Sequence, residues 1–205
     1  MRVLVLAPHT DDGEFGCGGT IAKWTEEGHH VSYVAFSCAE KSVPVDFSPD
    51  VLEKEVEQAT TRLGIQKLRV YHYEVRSFPE HRQEILERMI VLRGEIKPDT
   101  VLLPSTNDTH QDHEVISAEG FRAFKACTIL GYELPWNNME FRTTAFVPLS
   151  ASNLLAKISA LGHYKSQQHR PYASSSFIHS LASVRGTQIG VPMAEAFEVI
   201  RWVIP

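Results

Sequence analysis

Val3-Leu4-Val5-Leu6-Ala7 runs straight into Pro8-His9-Thr10-Asp11-Asp12-Gly13-Glu14, and this junction decides how the chain is read. Residues 3–7 are apolar without alternation, as in a strand covered on both faces of a parallel sheet. The polar run then sets an imidazole and two carboxylates at the strand's carboxyl end. Working outward, Gly18-Gly19-Thr20 opens a helical stretch that closes at Gly28. Residues 30–37 read as a second strand, 50–64 as a helix with Gly64 as its C-cap, and 68–73 as a third strand. A helix over 80–97 is stopped by Pro98, and residues 100–103 form a fourth strand. The loop 105–112 leads into a helix over 113–126. Residues 128–142 read as a long loop, 144–148 as a further strand and 153–167 as a helix. The C-terminal stretch is less regular and closes in a strand over 197–204. This alternation predicts an α/β fold: a Rossmann-like three-layer αβα sandwich with a mostly parallel sheet, one domain over residues 1–205. Ligands of such folds bind beyond the carboxyl ends of the strands.

The 205 residues hold 20 Lys+Arg against 25 Asp+Glu, a net charge of −5, with 43% apolar and 22% charged residues. That balance suits a globular chain with a sizeable core and excludes disorder, collagen and coiled coil. Mild acidity argues against nucleic acid as a partner. The apolar stretches are strand-sized, so no transmembrane segment is expected. The N-terminus lacks the apolar length and cleavage site of a secretory signal, which points to the cytoplasm. Cys17, Cys38 and Cys127 form no CxxC pair, so neither a disulfide framework nor a thiolate zinc site is indicated, and core packing is expected for all three. Asn107-Asp108-Thr109 fits a glycosylation acceptor, which a cytosolic chain would not use.

Two clusters carry chemistry. In the first, His9, Asp11 and Asp12 follow a buried strand, and imidazole and carboxylate are good zinc ligands. Of two adjacent carboxylates, one can bind a metal while the other faces its water. The competing reading is a polar loop whose acids favour the next helix's N-terminus. The second is His110-Gln111-Asp112-His113 after the fourth strand. Its two histidines share a helix face at i and i+3, and Asp112 can orient an imidazole. Here the competing reading is a solvated helix N-terminus capped by Asp112. The Gly16-Cys17-Gly18-Gly19 run offers a rival function, a nucleotide or S-adenosylmethionine loop. It lacks the third glycine of G-x-G-x-x-G, where Ile21 stands, and Asp11 and Asp12 would repel a pyrophosphate. These glycines are read instead as close helix–sheet packing.

The His-x-Asp-Asp-x-Glu start, the Gly-Cys-Gly-Gly-Thr helix opening and the later His-x-Asp-His together resemble the zinc-dependent N-acetylglucosaminyl deacetylases of the PIG-L/LmbE type. Leu63-Gly64, Lys165-Ser166-Gln167, Arg185-Gly186 and Ala194-Glu195-Ala196-Phe197 extend the resemblance along most of the chain. It implies a Rossmann-like fold and removal of acetyl from an N-acetylated sugar or conjugate, releasing acetate and a free amine. By this resemblance His9, Asp12 and His113 are zinc ligands and Asp11 is the general base. His110 stabilises the oxyanion, best as an imidazolium, with Asp112 orienting it. The leaving amine takes its proton from Asp11 or His110. A His₂Asp set also suits other divalent ions, and relatives are often homo-oligomers. Thr10 stands where the family usually has Pro, which leaves φ less fixed, and Leu52 stands where it often has Arg, three residues before Glu55, which bears on substrate. The segment 39–49 also lacks the family's usual Gly-containing loop. Lys165, Arg185, His163, His169 and His179 are read as surface residues, against the alternative that one or more line the substrate cleft. Tyr132, Trp136, Phe141 and Tyr172 are read as local apolar packing that could alternatively stack on a sugar. The remaining alternatives are a nucleotide- or S-adenosylmethionine-using enzyme and a non-catalytic sugar or metal binder.

Overall fold

The computed structural model describes residues 1–204. Its strands are β1 (Arg2–His9), β2 (His30–Ser37), β3 (Lys67–Val70), β4 (Thr100–Pro104), β5 (Thr128–Tyr132), β6 (Ala145–Pro148) and β7 (Ala194–Arg201). The helices are α1 (Asp12–Glu26), α2 (Val51–Arg62), α3 (Arg82–Ile96), α4 (Gln111–Ala123), α5 (Ala151–Leu161) and α6 (Ser175–Thr187). The sheet order is β3-β2-β1-β4-β5-β7-β6. Strands β1 to β5 pair in parallel, and β7 runs antiparallel to both β5 and β6.

Strand β1 shows why the sheet is sandwiched. Val3, Val5 and Ala7 enter a core shared with Ile21 of α1, Val56 of α2 and Ala160 of α5. Leu4 and Leu6 point the other way, among Ile85 and Met89 of α3 and Ile116 of α4. Period-2 side chains on an all-apolar strand therefore fill two cores at once. From β1 the chain moves to β2 on one side, and from β4 to β5 on the other. The crevice between the carboxyl ends of β1 and β4 is thus the topological switch point.

Three local expectations are corrected. The stretch 128–142 is not all loop, because 128–132 forms β5. Gly131 weakens that strand's pattern, but a Cβ there would stand 3.0 Å from the Ser105 backbone, so glycine lets β5 pass close beneath the loop after β4. The irregular C-terminal stretch holds a full helix, α6. It buries only Ile178, Ala182 and Gly186, which leaves little periodic signal, and it starts on a Ser174 cap that accepts the Phe177 N–H. Helix α1 begins at Asp12 rather than at the glycines. Those glycines are costly in a helix yet needed for packing: a Cβ on Gly16 would lie 2.2 Å from the Tyr132 ring, and one on Gly19 2.5 Å from Leu149. The helix breaks at Cys17 (φ −144°, ψ 21°). The amides of Gly19 and Thr20 donate to the Glu195 carboxylate at 2.9 and 2.6 Å.

Candidate active site

His9 ends β1, Asp12 opens α1 and His113 lies in the first turn of α4, so the switch point gathers three residues far apart in sequence. His9 Nδ1 lies 3.1 Å from Asp12 Oδ2, His113 Nε2 lies 3.3 Å from the same oxygen, and the two nitrogens are 3.3 Å apart. Ligands about 2.0–2.1 Å from a tetrahedral zinc ion stand about 3.3 Å from one another. The donor triangle therefore fits a divalent ion of that size. The ring nitrogens of His9, His110 and His113 also come within 4.8 Å of one another. Asp12 completes the set better than His110, whose Nδ1 accepts the Asp112 N–H at 3.2 Å.

Both histidines are held from behind by carboxylates. His9 Nε2 lies 3.0 Å from Asp112 Oδ2, and His113 Nδ1 lies 2.7 Å from Asp108 Oδ2. Each rear nitrogen donates, which leaves the front nitrogen's lone pair for a cation. The local field favours positive charge. Burial alone would lower the His113 pKa, but Asp12 and Asp108 carry it up to about 10. His9 is raised in the same way by Asp12 and Asp112. Burial would raise Asp12, yet His113 and His9 hold it well below the ordinary carboxylate range.

Asp11 caps α1 without spending its side chain on the helix. Burial and the neighbouring Asp12 push its carboxyl up to about 6, against the pull of Arg170 and His9. His110 departs from expectation. Burial, His113 and His9 lower its pKa to about 4, so it is neutral rather than an imidazolium. Asp112 departs too. Its carboxylate orients His9, not His110, and also accepts the backbone N–H groups of Arg76 at 2.6 Å and Phe78 at 3.3 Å. Asp112 is fully buried, and His110, not Asp112, caps α4.

Sequence reasoning missed Asp108. Its signal was position, at the end of the loop after β4 and two residues before His110, whose N–H it accepts at 2.9 Å. Also missed were Asn137, Gln167 and Arg170, which line the roughly 150 Å³ cavity along with His9, Asp11 and His110. Leu52 lines it as well. Trp136 and Tyr172 stack flat against each other at its edge, 3.8 Å between centroids and 8° between planes. Tyr132 is core instead, and Arg185 is tied to Glu133 in a nearly buried pair away from the cavity. Two buried atoms of lining residues, Thr10 Oγ1 and Gln167 Oε1, find no hydrogen-bond partner among the described residues. The glycine-run amides that a nucleotide loop would offer to phosphate are taken by Glu195, itself paired with Lys157 at 2.7 Å.

A Rossmann-like α/β sandwich with a His-Asp-His donor triangle at its switch point defines the class. The chain belongs to the PIG-L family: the family model described as GlcNAc-PI de-N-acetylase matches residues 4–124, which include both clusters. The chain is 23% identical over 172 residues to the uncharacterized deacetylase YaiS of Escherichia coli K12, covering 80% of this chain and 90% of that one. It is 28% identical over 176 residues to the diacetylchitobiose deacetylase of Thermococcus kodakarensis, covering 83% of this chain and 61% of that one. A conserved protein of Thermus thermophilus superposes over all of this chain and 97% of its own, with a TM-score of 0.83 at 25% identity.

Proposed function

We propose that this protein is a metal-dependent, most simply zinc-dependent, amidohydrolase that removes the acetyl group from an N-acetylglucosamine-type sugar or conjugate. The observation that carries this reading is the donor triangle of His9, Asp12 and His113, with Asp11 and His110 on the same cavity wall. A divalent ion held there supplies Lewis acidity to an amide carbonyl and to water. Asp11, poised near 6, takes the proton of the attacking water. His110 accepts at Nδ1, so its ring proton sits on Nε2, where a neutral imidazole can donate to the developing oxyanion. With that proton engaged, Asp11 returns its own to the departing amine. The unpartnered Thr10 hydroxyl and Gln167 carbonyl suit a ligand rich in hydroxyls, and Trp136 and Tyr172 add an aromatic wall to the same cavity.

The test is acetate or free-amine release from a panel of N-acetylglucosamine conjugates, with and without chelator. Release that chelator stops and zinc restores is the expected result. No release from any member by fully loaded protein overturns the reading.

A further inference from the structure

Beyond the catalytic cavity, a second cluster forms where β2 and β3 end. Cys38 follows β2, His72 lies just past β3, and Glu53 sits in the first turn of α2. Cys38 Sγ, a carboxylate oxygen of Glu53 and a ring nitrogen of His72 all lie within 4.8 Å of one another. His72 Nδ1 is 3.7 Å from Cys38 Sγ and 3.7 Å from Glu40 Oε1, and its Nε2 is 3.9 Å from Glu53 Oε1. Zinc bound by sulfur at about 2.3 Å and nitrogen at about 2.0 Å sets those atoms roughly 3.6 Å apart. The Cys38–His72 spacing is therefore already that of two ligands on one ion.

The local fold supports this grouping. Ala39, between Cys38 and Glu40, takes a left-handed conformation (φ 48°, ψ 37°) that a residue with a Cβ rarely adopts. Its N–H donates to Ser37 Oγ at 3.0 Å. Through this turn the side chains of Cys38 and Glu40, two residues apart, both reach His72. They line a cavity of about 170 Å³. Lys41, the lysine in its wall, is engaged by Glu74. Cys38 is 2% exposed, whereas His72 and the two glutamates face solvent, so an ion has a way in.

We propose that Cys38, His72 and Glu53 form a second metal site, separate from the catalytic triangle, for a thiolate-preferring divalent ion such as zinc, with Glu40 beside the His72 ring. Binding forms a metal–sulfur bond as the Cys38 thiol loses its proton to solvent. Soft sulfur beside imidazole selects zinc or its congeners over magnesium and calcium. The site does not depend on the deacetylase reading. Ala39 and Val75 wall both cavities, so the two sites are neighbours without sharing a ligand.

Cobalt(II) substitution of the full chain separates the two sites. The catalytic donors are nitrogen and oxygen only, so a near-ultraviolet sulfur-to-cobalt charge-transfer band reports the second site alone. The expected result is two metal equivalents per chain with that band present. Cys38→Ser should lose the band and one equivalent while keeping chelator-sensitive acetate release. His72→Ala, which alters an exposed side chain, should weaken cobalt at this site by at least about tenfold. His113→Ala should lose the other equivalent and retain the band. A single equivalent without the band, a band that survives Cys38→Ser, or cobalt binding indifferent to His72→Ala overturns the assignment.

Discussion

Asp108 Oδ2 lies 2.7 Å from His113 Nδ1, a contact wholly buried behind the proposed ligand. It fixes the ring so that Nε2 faces His9 and Asp12. Carboxylates in this position typically contribute about 10–100-fold to metal affinity. Asp108→Asn keeps an oxygen for the His110 N–H but weakens the hold on the imidazole. Zinc affinity, measured by competition with a chromophoric chelator, should fall by about 10–100-fold while the circular dichroism stays native. Unchanged affinity would mean that Asp108 merely fills space.

Asp11 and His110 line the cavity without belonging to the donor triangle, so their loss should spare the metal. Asp11→Asn should lower kcat by about 10²–10⁴ as a lost general base, and His110→Ala by about 10²–10³ as a lost oxyanion donor. Elemental analysis should find both variants as metal-loaded as the parent. Near-parental turnover in Asp11→Asn would remove Asp11 from the base role.

The sheet was legible because β1, β2 and β4 are apolar enough to announce strands buried on both faces. The two clusters were legible because His9, Asp12 and His113 lie at strand ends or in the helix turns that follow. What stayed hidden depends on neighbours far away in sequence. β5 is interrupted by Gly131, whose value appears only against Ser105. The carboxylate of Asp112 points to His9 rather than to the adjacent His110, because Arg76 and Phe78 draw it there through their backbone amides. Spacing alone does not carry that information. Cys38 is buried, as core packing predicts, but its place beside His72 at the ends of β2 and β3 is not legible from sequence spacing.

Arg170 stands in the cavity wall, where Leu52 offers no charge. It bonds the Tyr172 hydroxyl, and so braces the stacked pair with Trp136. Removing it should disturb substrate holding more than chemistry. Arg170→Ala is expected to raise KM by about tenfold or more with kcat changed much less. Thr10→Val, which deletes the unpartnered hydroxyl at nearly constant shape, should act in the same direction. A fall in kcat at constant KM for both would place these residues in transition-state stabilisation instead.

Glu14 gives a pH dependence of stability with a definite sign. Burial pushes its carboxyl from 4.5 up to about 8, even though the Tyr33 and Tyr164 hydroxyls partly offset it. Folded protein therefore keeps this proton between about pH 4.5 and 8, while the unfolded chain gives it up. With fewer protons bound in the unfolded state, stability must fall as pH rises through that window. The slope from one such group is about 1.4 kcal/mol per pH unit at most. Glu14→Gln is neutral at every pH and keeps an amide able to meet both tyrosines. In urea unfolding at several pH values, the variant should gain on the parent steadily from about pH 5 to about pH 8. Other titrating groups are common to both proteins and cancel in the difference. A difference between the two that does not change with pH would show that Glu14 is already ionised in the folded protein.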